Sequence, residues 1–184
     1  MTCDSPHKKN LRRARTFFGT LEGEPDLLRA LQDFCTARGV RQAVVSAQGL
    51  VSDARLGAYD RKQCVFATEL KNGPSEIAAL TGNVFPLAGT PFASLWAVLV
   101  NEAGSVSAGR LFSPCPAEKV EFHLTELSGC RFHRSLETAM AYHPLVCGPE
   151  AKTATKPGGS NSRTPYRIKA IRINRTRRNA WKST

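Results

Sequence analysis

The chain has 184 residues, 41% of them hydrophobic, and a formal net charge of +11. That length can bury a core without disulfide or metal staples, and no apolar run reaches the roughly 18 residues of a membrane span. The basic amino-terminal MTCDSPHKKNLRRAR has no apolar stretch behind it, so no secretory leader is expected.

Residues 1–13 read as a basic extension, 14–147 as one folded domain and 148–184 as a tail. TFFGTLE, residues 16–22, is a short strand candidate. EGEPDLLRALQDFCTARGV is the one strong helix. Leu27, Leu28, Leu31, Phe34 and Cys35 recur on one face at helical spacing. Pro25 suits its first turn, Asp26 the positive end of its dipole, and Gly39 its stop. The period then changes to two. RQAVVSAQG, SDARLGAYD and KQCVFATEL read as strands, the last ending at Lys71-Asn72-Gly73-Pro74. SEIAALTGNVF, the two halves of PFASLWAVLVNEAGSVSAGRL, PAEKVEFHLTEL and GCRFHRSLE follow as further strands. Short turns between strands, with one early helix, predict an α+β domain around a largely antiparallel sheet.

The charge is not spread evenly. Residues 1–15 hold five Lys/Arg and one acid, 16–150 hold eleven and fourteen, and 151–184 hold ten and none. The acid-free tail is rich in Gly, Pro, Ser and Thr and has few apolar residues, which predicts disorder or folding on binding. YRIKAIRI within it alternates and could pair as a strand. Lys152, Lys156, Arg163, Arg167, Lys169, Arg172, Arg175, Arg177, Arg178 and Lys182 are the candidate phosphate contacts. Tyr166 and Trp181 among them could stack on bases.

Several stretches together resemble the PPC domain, the "plants and prokaryotes conserved" domain, in its prokaryotic stand-alone form. VRQAVVSAQGLVSDARLGAYD resembles its early strands, and GPSEIAALTGNV its Gly-x-x-Glu-Ile-x-x-Leu-x-Gly-Asn segment, at Gly73, Glu76, Ile77, Leu80, Gly82 and Asn83. GTPFASLWAVLVNEAGSVSAGRL resembles its Gly-x-Pro-Phe hairpin, and VEFHLTEL the strand after it. The resemblance spans about residues 14–135. It implies an α+β homotrimer and DNA binding. For Gly73, Glu76 and Ile77 it implies a partner or subunit interface.

Many members carry a metal-binding His-x-His on the first hairpin strand and a Gly-Gly-His on the second. Here those positions are Ser94, Trp96 and Arg110. Serine is a poor metal ligand, and tryptophan and arginine are none, so no metal and no cofactor is expected. If Glu102-Ala103-Gly104 is a three-residue loop with Gly104 left-handed, Asn101 opposes Ser105, Val98 opposes Ala108 and Trp96 opposes Arg110. Arg110 over Trp96 would then form a cation–π pair, preferred here over a remodelled anion pocket.

The six cysteines include no CxxC spacing and read as small buried hydrophobes of a reducing cytoplasm. His7, His123, His133 and His143 show no ligand spacing. Glu76, on an apolar strand, is a candidate buried acid with a raised pKa. Catalytic motifs are lacking, and the tail has no Arg-Gly-Arg-Pro core of an AT-hook. The reading is a non-enzymatic, cytoplasmic, trimeric protein that grips the DNA backbone through its basic ends. The alternative is a scaffold for a protein or small ligand.

Overall fold

The computed structural model describes residues 11–136 and 143–148 in full, and residues 168–173 by their backbone. The elements in chain order are β1 (Leu11–Glu24), α1 (Leu27–Ala37), β2 (Ala43–Val51), β3 (Ala54–Asp60), β4 (Val65–Lys71) and β5 (Ser75–Leu87). They continue with β6 (Thr90–Asn101), β7 (Val106–Phe112), β8 (Ala117–Gly129), β9 (Phe132–Arg134), β10 (Leu145–Cys147) and β11 (Ile168–Ile173). The sheet runs β11-β1-β8-β2-β5-β6-β7-β3-β4, with β9 and β10 a small pair at the end of β5. Every pairing is antiparallel except the Leu87–Arg134 contact of β5 with β9. The α+β, largely antiparallel expectation holds.

Strands β1 and β2 both run antiparallel to β8, so they are parallel to each other and α1 is the crossover between them. Asp26 caps the helix, its carboxylate accepting from the Leu28 N–H at 3.2 Å. Pro25 therefore precedes the cap instead of sitting in the first turn. Gly39 ends the helix at φ +64, a conformation that other residues adopt only at a cost. Leu27, Leu28, Leu31, Phe34 and Cys35 are buried as their spacing predicts. The Phe34 ring meets the edges of Phe17 and Phe122 at 5.3 and 5.2 Å between centroids. Each such side chain contributes about 2–3 kcal/mol by leaving water.

Strand β1 is longer than TFFGTLE because β8 pairs it well past both ends of that segment, from Leu11↔Gly129 to Glu24↔Ala117. Its inner edge meets β8, and its outer edge meets β11, from Thr16↔Ile173 to Leu21↔Ile168. The alternating segment YRIKAIRI, read as able to pair as a strand, supplies β11 with its residues 168–173. An alternating segment can satisfy the N–H and C=O groups that a sheet edge leaves open. Residues 149–167 and 174–184 lie outside the described residues.

Glu24, at the end of β1, is only 3% exposed, and its Oε2 has no hydrogen-bond partner. Burial, reinforced by Asp33, pushes this carboxyl above the usual range. A raised carboxyl pKa stabilises the fold fully below the unfolded-state value, and that contribution is lost as pH rises through the folded-state value. Glu24→Gln is expected to raise the thermal midpoint at neutral pH by a few degrees and to leave it unchanged in acid below the glutamate range, as read by melts across pH.

Candidate functional site

The β6–β7 hairpin closes as its glycine predicts. Gly104 has φ +75. Its N–H donates to the Asn101 carbonyl at 2.9 Å, and the Asn101 N–H donates to that of Ser105 at 3.1 Å. Asn101 also accepts the Ser105 N–H on Oδ1 at 2.8 Å. The register is the expected one, Trp96 opposite Arg110 and Val98 opposite Ala108. Because side chains alternate along a strand, Ala93, Leu95, Ala97 and Leu99 enter the core, while Ser94, Trp96 and Arg110 share the other face.

On that face one register row crosses the sheet through Phe18, His123, Ser46, Thr81, Trp96, Arg110 and Gly57. Trp96 is 43% exposed and Arg110 only 4%. The stacking of Arg110 on Trp96 is not what forms. The Arg110 guanidinium carbon lies 4.8 Å from the Phe66 ring centroid, 5.4 Å from that of Phe112 and 5.9 Å from that of Phe92. Gly57 is part of the reason. A Cβ there would come within 2.7 Å of the Phe112 ring, so the glycine lets that ring spread over β3 and gives Arg110 an aromatic bed away from Trp96.

A second guanidinium joins it from β9. Arg134 is buried; it donates through Nη1 to the His143 carbonyl at 2.8 Å and through Nη2 to Asn83 Oδ1 at 2.6 Å. Its carbon lies 5.9 Å from the centroid of the same Phe92 ring, which the His143 ring also meets nearly at right angles, 5.8 Å between centroids. Ser94, buried, pairs across strands with Asn83. The face thus gathers two guanidinium groups, an amide and a hydroxyl around one phenylalanine.

This donor set does not fit the metal site that the resemblance implies for the hairpin. A hydroxyl, an indole and a guanidinium stand at the three positions, and two of these have no lone pair to give. Among the described residues no group of three or more His, Cys, Asp and Glu could hold a metal ion. His123 is exposed on β8, and His133 and His143 belong to the β9–β10 region; His7 lies outside the described residues.

The expected interface residues separate. Gly73 turns the chain at φ +88, and its N–H donates to Asp53 Oδ1 at 2.9 Å. Glu76 is exposed, so it is not the buried acid that its apolar strand suggested. Ile77 is 1% exposed and packs inside the core, where no partner can reach it. Of the tail cations, Lys169 and Arg172 belong to β11, opposite Thr20 and Phe17. Lys152, Lys156, Arg163, Arg167, Arg175, Arg177, Arg178 and Lys182 lie outside the described residues. Phe66, Asn83 and Arg134 were not expected in the site. Phe92 and Phe112 were legible, each two residues along a strand from Ser94 or Arg110.

One antiparallel sheet with a single crossover helix, bearing a polar cluster on a long hairpin, defines a small α+β domain. Residues 8–128 match the family model of the Plants and Prokaryotes Conserved (PCC) domain, and the chain belongs to that family. Among solved structures it is similar to a plant- and prokaryote-conserved protein of Pyrococcus horikoshii, with 24% identity and a TM-score of 0.68, over 78% of this chain and 97% of that one. It is similar also to a metal-containing protein of Archaeoglobus fulgidus, with 26% identity and a TM-score of 0.70, over 77% and 99%. A candidate DNA-binding protein of Bacteroides thetaiotaomicron has the same fold at 16% identity and a TM-score of 0.62, over 74% and 96%. Curated proteins give no match. No helix among the described residues is long and apolar enough to cross a membrane.

Proposed function

We propose that this protein is a non-enzymatic DNA-binding protein that grips the phosphate backbone through its basic ends and works as a trimer in the cytoplasm. The observation that carries the reading is the charge split: residues 151–184 hold ten Lys/Arg and no acid, while residues 16–150 hold more acids than bases. Such a tail binds by displacing counterions and gains little from base sequence. Three tails on one trimer would add avidity to weak contacts. Relatives described as candidate DNA-binding proteins support the reading.

Deleting the tail would also remove β11 from the edge of β1, so the test is charge removal. Lys152, Lys156, Arg163, Arg175, Arg177, Arg178 and Lys182 are replaced together by glutamine in the full chain, leaving β11 untouched. Binding to duplex DNA over a salt series is expected to weaken at least about tenfold near 0.1 M salt, with a flatter salt dependence. An unchanged slope would remove the tail from the mechanism.

The sheet face away from α1 supports the trimer. Phe18, Val44, Leu50 and Trp96 are exposed on it at 41–45%, and apolar area of this kind suits contact with further copies. Trp96→Glu is expected to lower the solution mass from about three chains toward one while leaving the far-UV circular dichroism unchanged. A mass unaffected by the substitution would place the subunit contact elsewhere.

A second reading rests on the hairpin face. Arg110 and Arg134, both buried and each 5.9 Å from the centroid of the Phe92 ring, have the chemistry to hold a small anion, and the protein would then be a ligand-binding scaffold.

A further inference from the structure

Six cysteines without a motif gave no reason to pair any two of them. In the fold, Cys130 and Cys147 meet with their Sγ atoms 2.7 Å apart. They come from different places, Cys130 just past the end of β8 and Cys147 the last residue of β10. Each is held by a separate set of bonds. Gln42, buried just before β2, donates through Nε2 to the carbonyls of Leu127 and Cys130 at 3.2 and 2.9 Å. Its Oε1 accepts the Phe132 N–H at 3.2 Å. Cys130 is thereby fixed on both sides. Cys147 is paired with Phe132 across the β9–β10 ladder, and the next residue, Gly148, donates to the Arg131 carbonyl at 3.0 Å.

The other described cysteines differ in kind. Cys35 and Cys115 are buried in the core, and burial pushes both thiols up to about 12, which leaves almost no thiolate to react. Cys64 is exposed in the turn after β3, with no second thiol beside it among the described residues. Cys130 and Cys147 are half-buried, near enough to solvent for a small reagent to reach them and near enough to each other to close a bond.

We propose that Cys130 and Cys147 form a reversible disulfide that fastens the β9–β10 pair to the end of β8. The oxidant is a low-molecular-weight disulfide. One protein thiolate attacks it, forming a mixed disulfide and releasing one small thiol. The second protein thiolate then displaces the other small thiol and closes the Cys130–Cys147 bond. The protein pair loses two electrons and two protons, and the reagent is reduced to two thiols. In a reducing compartment the pair rests as thiols and closes when disulfides accumulate.

The bond ties positions 17 apart in sequence. It encloses Arg134 and His143, the residues that reach the Phe92 cluster. It also fixes the point from which the chain leaves for the basic tail.

The test treats the full chain with oxidised glutathione and maps its peptides without reduction. The expected products are one peptide pair linked through Cys130 and Cys147 and a thermal midpoint about 5–10 °C above that of the reduced protein. The rise should vanish in Cys130→Ser and in Cys147→Ser and persist in Cys64→Ser. The peptide map of the unsubstituted chain stands even if a variant folds poorly. Separate glutathione adducts on the two cysteines, or a linked pair whose melt is unchanged, overturns the proposal.

Discussion

Gly82→Ala is expected to cost about 3–5 kcal/mol, at the upper end of what one substitution does. Gly82 lies on β5, between Val45 of β2 and Leu95 of β6. A Cβ there would run into the Ser94 carbonyl oxygen, and would stand 2.8 Å from Leu95 Cα and 2.9 Å from Leu95 Cδ2. Two of these three atoms are backbone in the middle of the sheet, so no side-chain rotation relieves the clash. The β5–β6 pair must part, and Asn83 and Ser94, the next pair along, part with it. The glycine of the Gly82-Asn83 motif is thus a spacing requirement. Its neighbour then supplies the oxygen that Arg134 grips. Gly104→Ala separates this effect from backbone strain. Gly104 has a positive φ but nothing within 4 Å of a new Cβ, so the cost there is only about 1–2 kcal/mol. Urea midpoints of the two variants measure the difference, and equal losses would refute the steric account.

Local pattern carried much of this architecture. The helix was legible because Leu27, Leu31, Phe34 and Cys35 repeat on one face ahead of a Gly stop, although the pattern set Pro25 in the first turn where Asp26 proves to be the cap. The hairpin register was legible because one left-handed glycine allows only certain pairings. Placing Trp96 opposite Arg110 followed from Gly104 alone. What the pattern could not supply was contact between distant elements. Phe66 comes from β4 and Arg134 from β9, and nothing near Arg110 in sequence announces either. Alternation says that Arg110 and Trp96 share a face; it does not say toward which neighbours a long flexible side chain turns. Gly57, which makes room for the Phe112 ring, is on a third strand. The meeting of Cys130 with Cys147 depends on Gln42 and on β10, a three-residue strand too short to show a period. Ile77 was misjudged for a related reason. A motif recognised as a unit gives no face to its members, yet Glu76 and Ile77 point in opposite directions on one strand.

Arg110 decides between a packed hairpin face and a ligand pocket. Arg110→Ala is expected to lower stability by about 2–4 kcal/mol, because it empties the space among Phe66, Phe92 and Phe112. Arg110→Met keeps an unbranched stem of similar reach and a polarizable end suited to aromatic contact, so it should recover most of that loss. Arg110→Lys keeps the charge but replaces a flat, weakly hydrated fork by a compact, strongly hydrated ammonium. It should fall below methionine if ring packing is what the position supplies. The order Met above Lys above Ala in urea midpoints is therefore the signature of a structural cation. Inorganic phosphate provides the independent axis. Ligand binding to the native state raises its midpoint with concentration. A packed face predicts the same response to phosphate in the unsubstituted protein and in Arg110→Met. A rise confined to the unsubstituted protein, with lysine preserving part of it, would instead make Arg110 and Arg134 an anion site, and the hairpin would be read as an anion pocket.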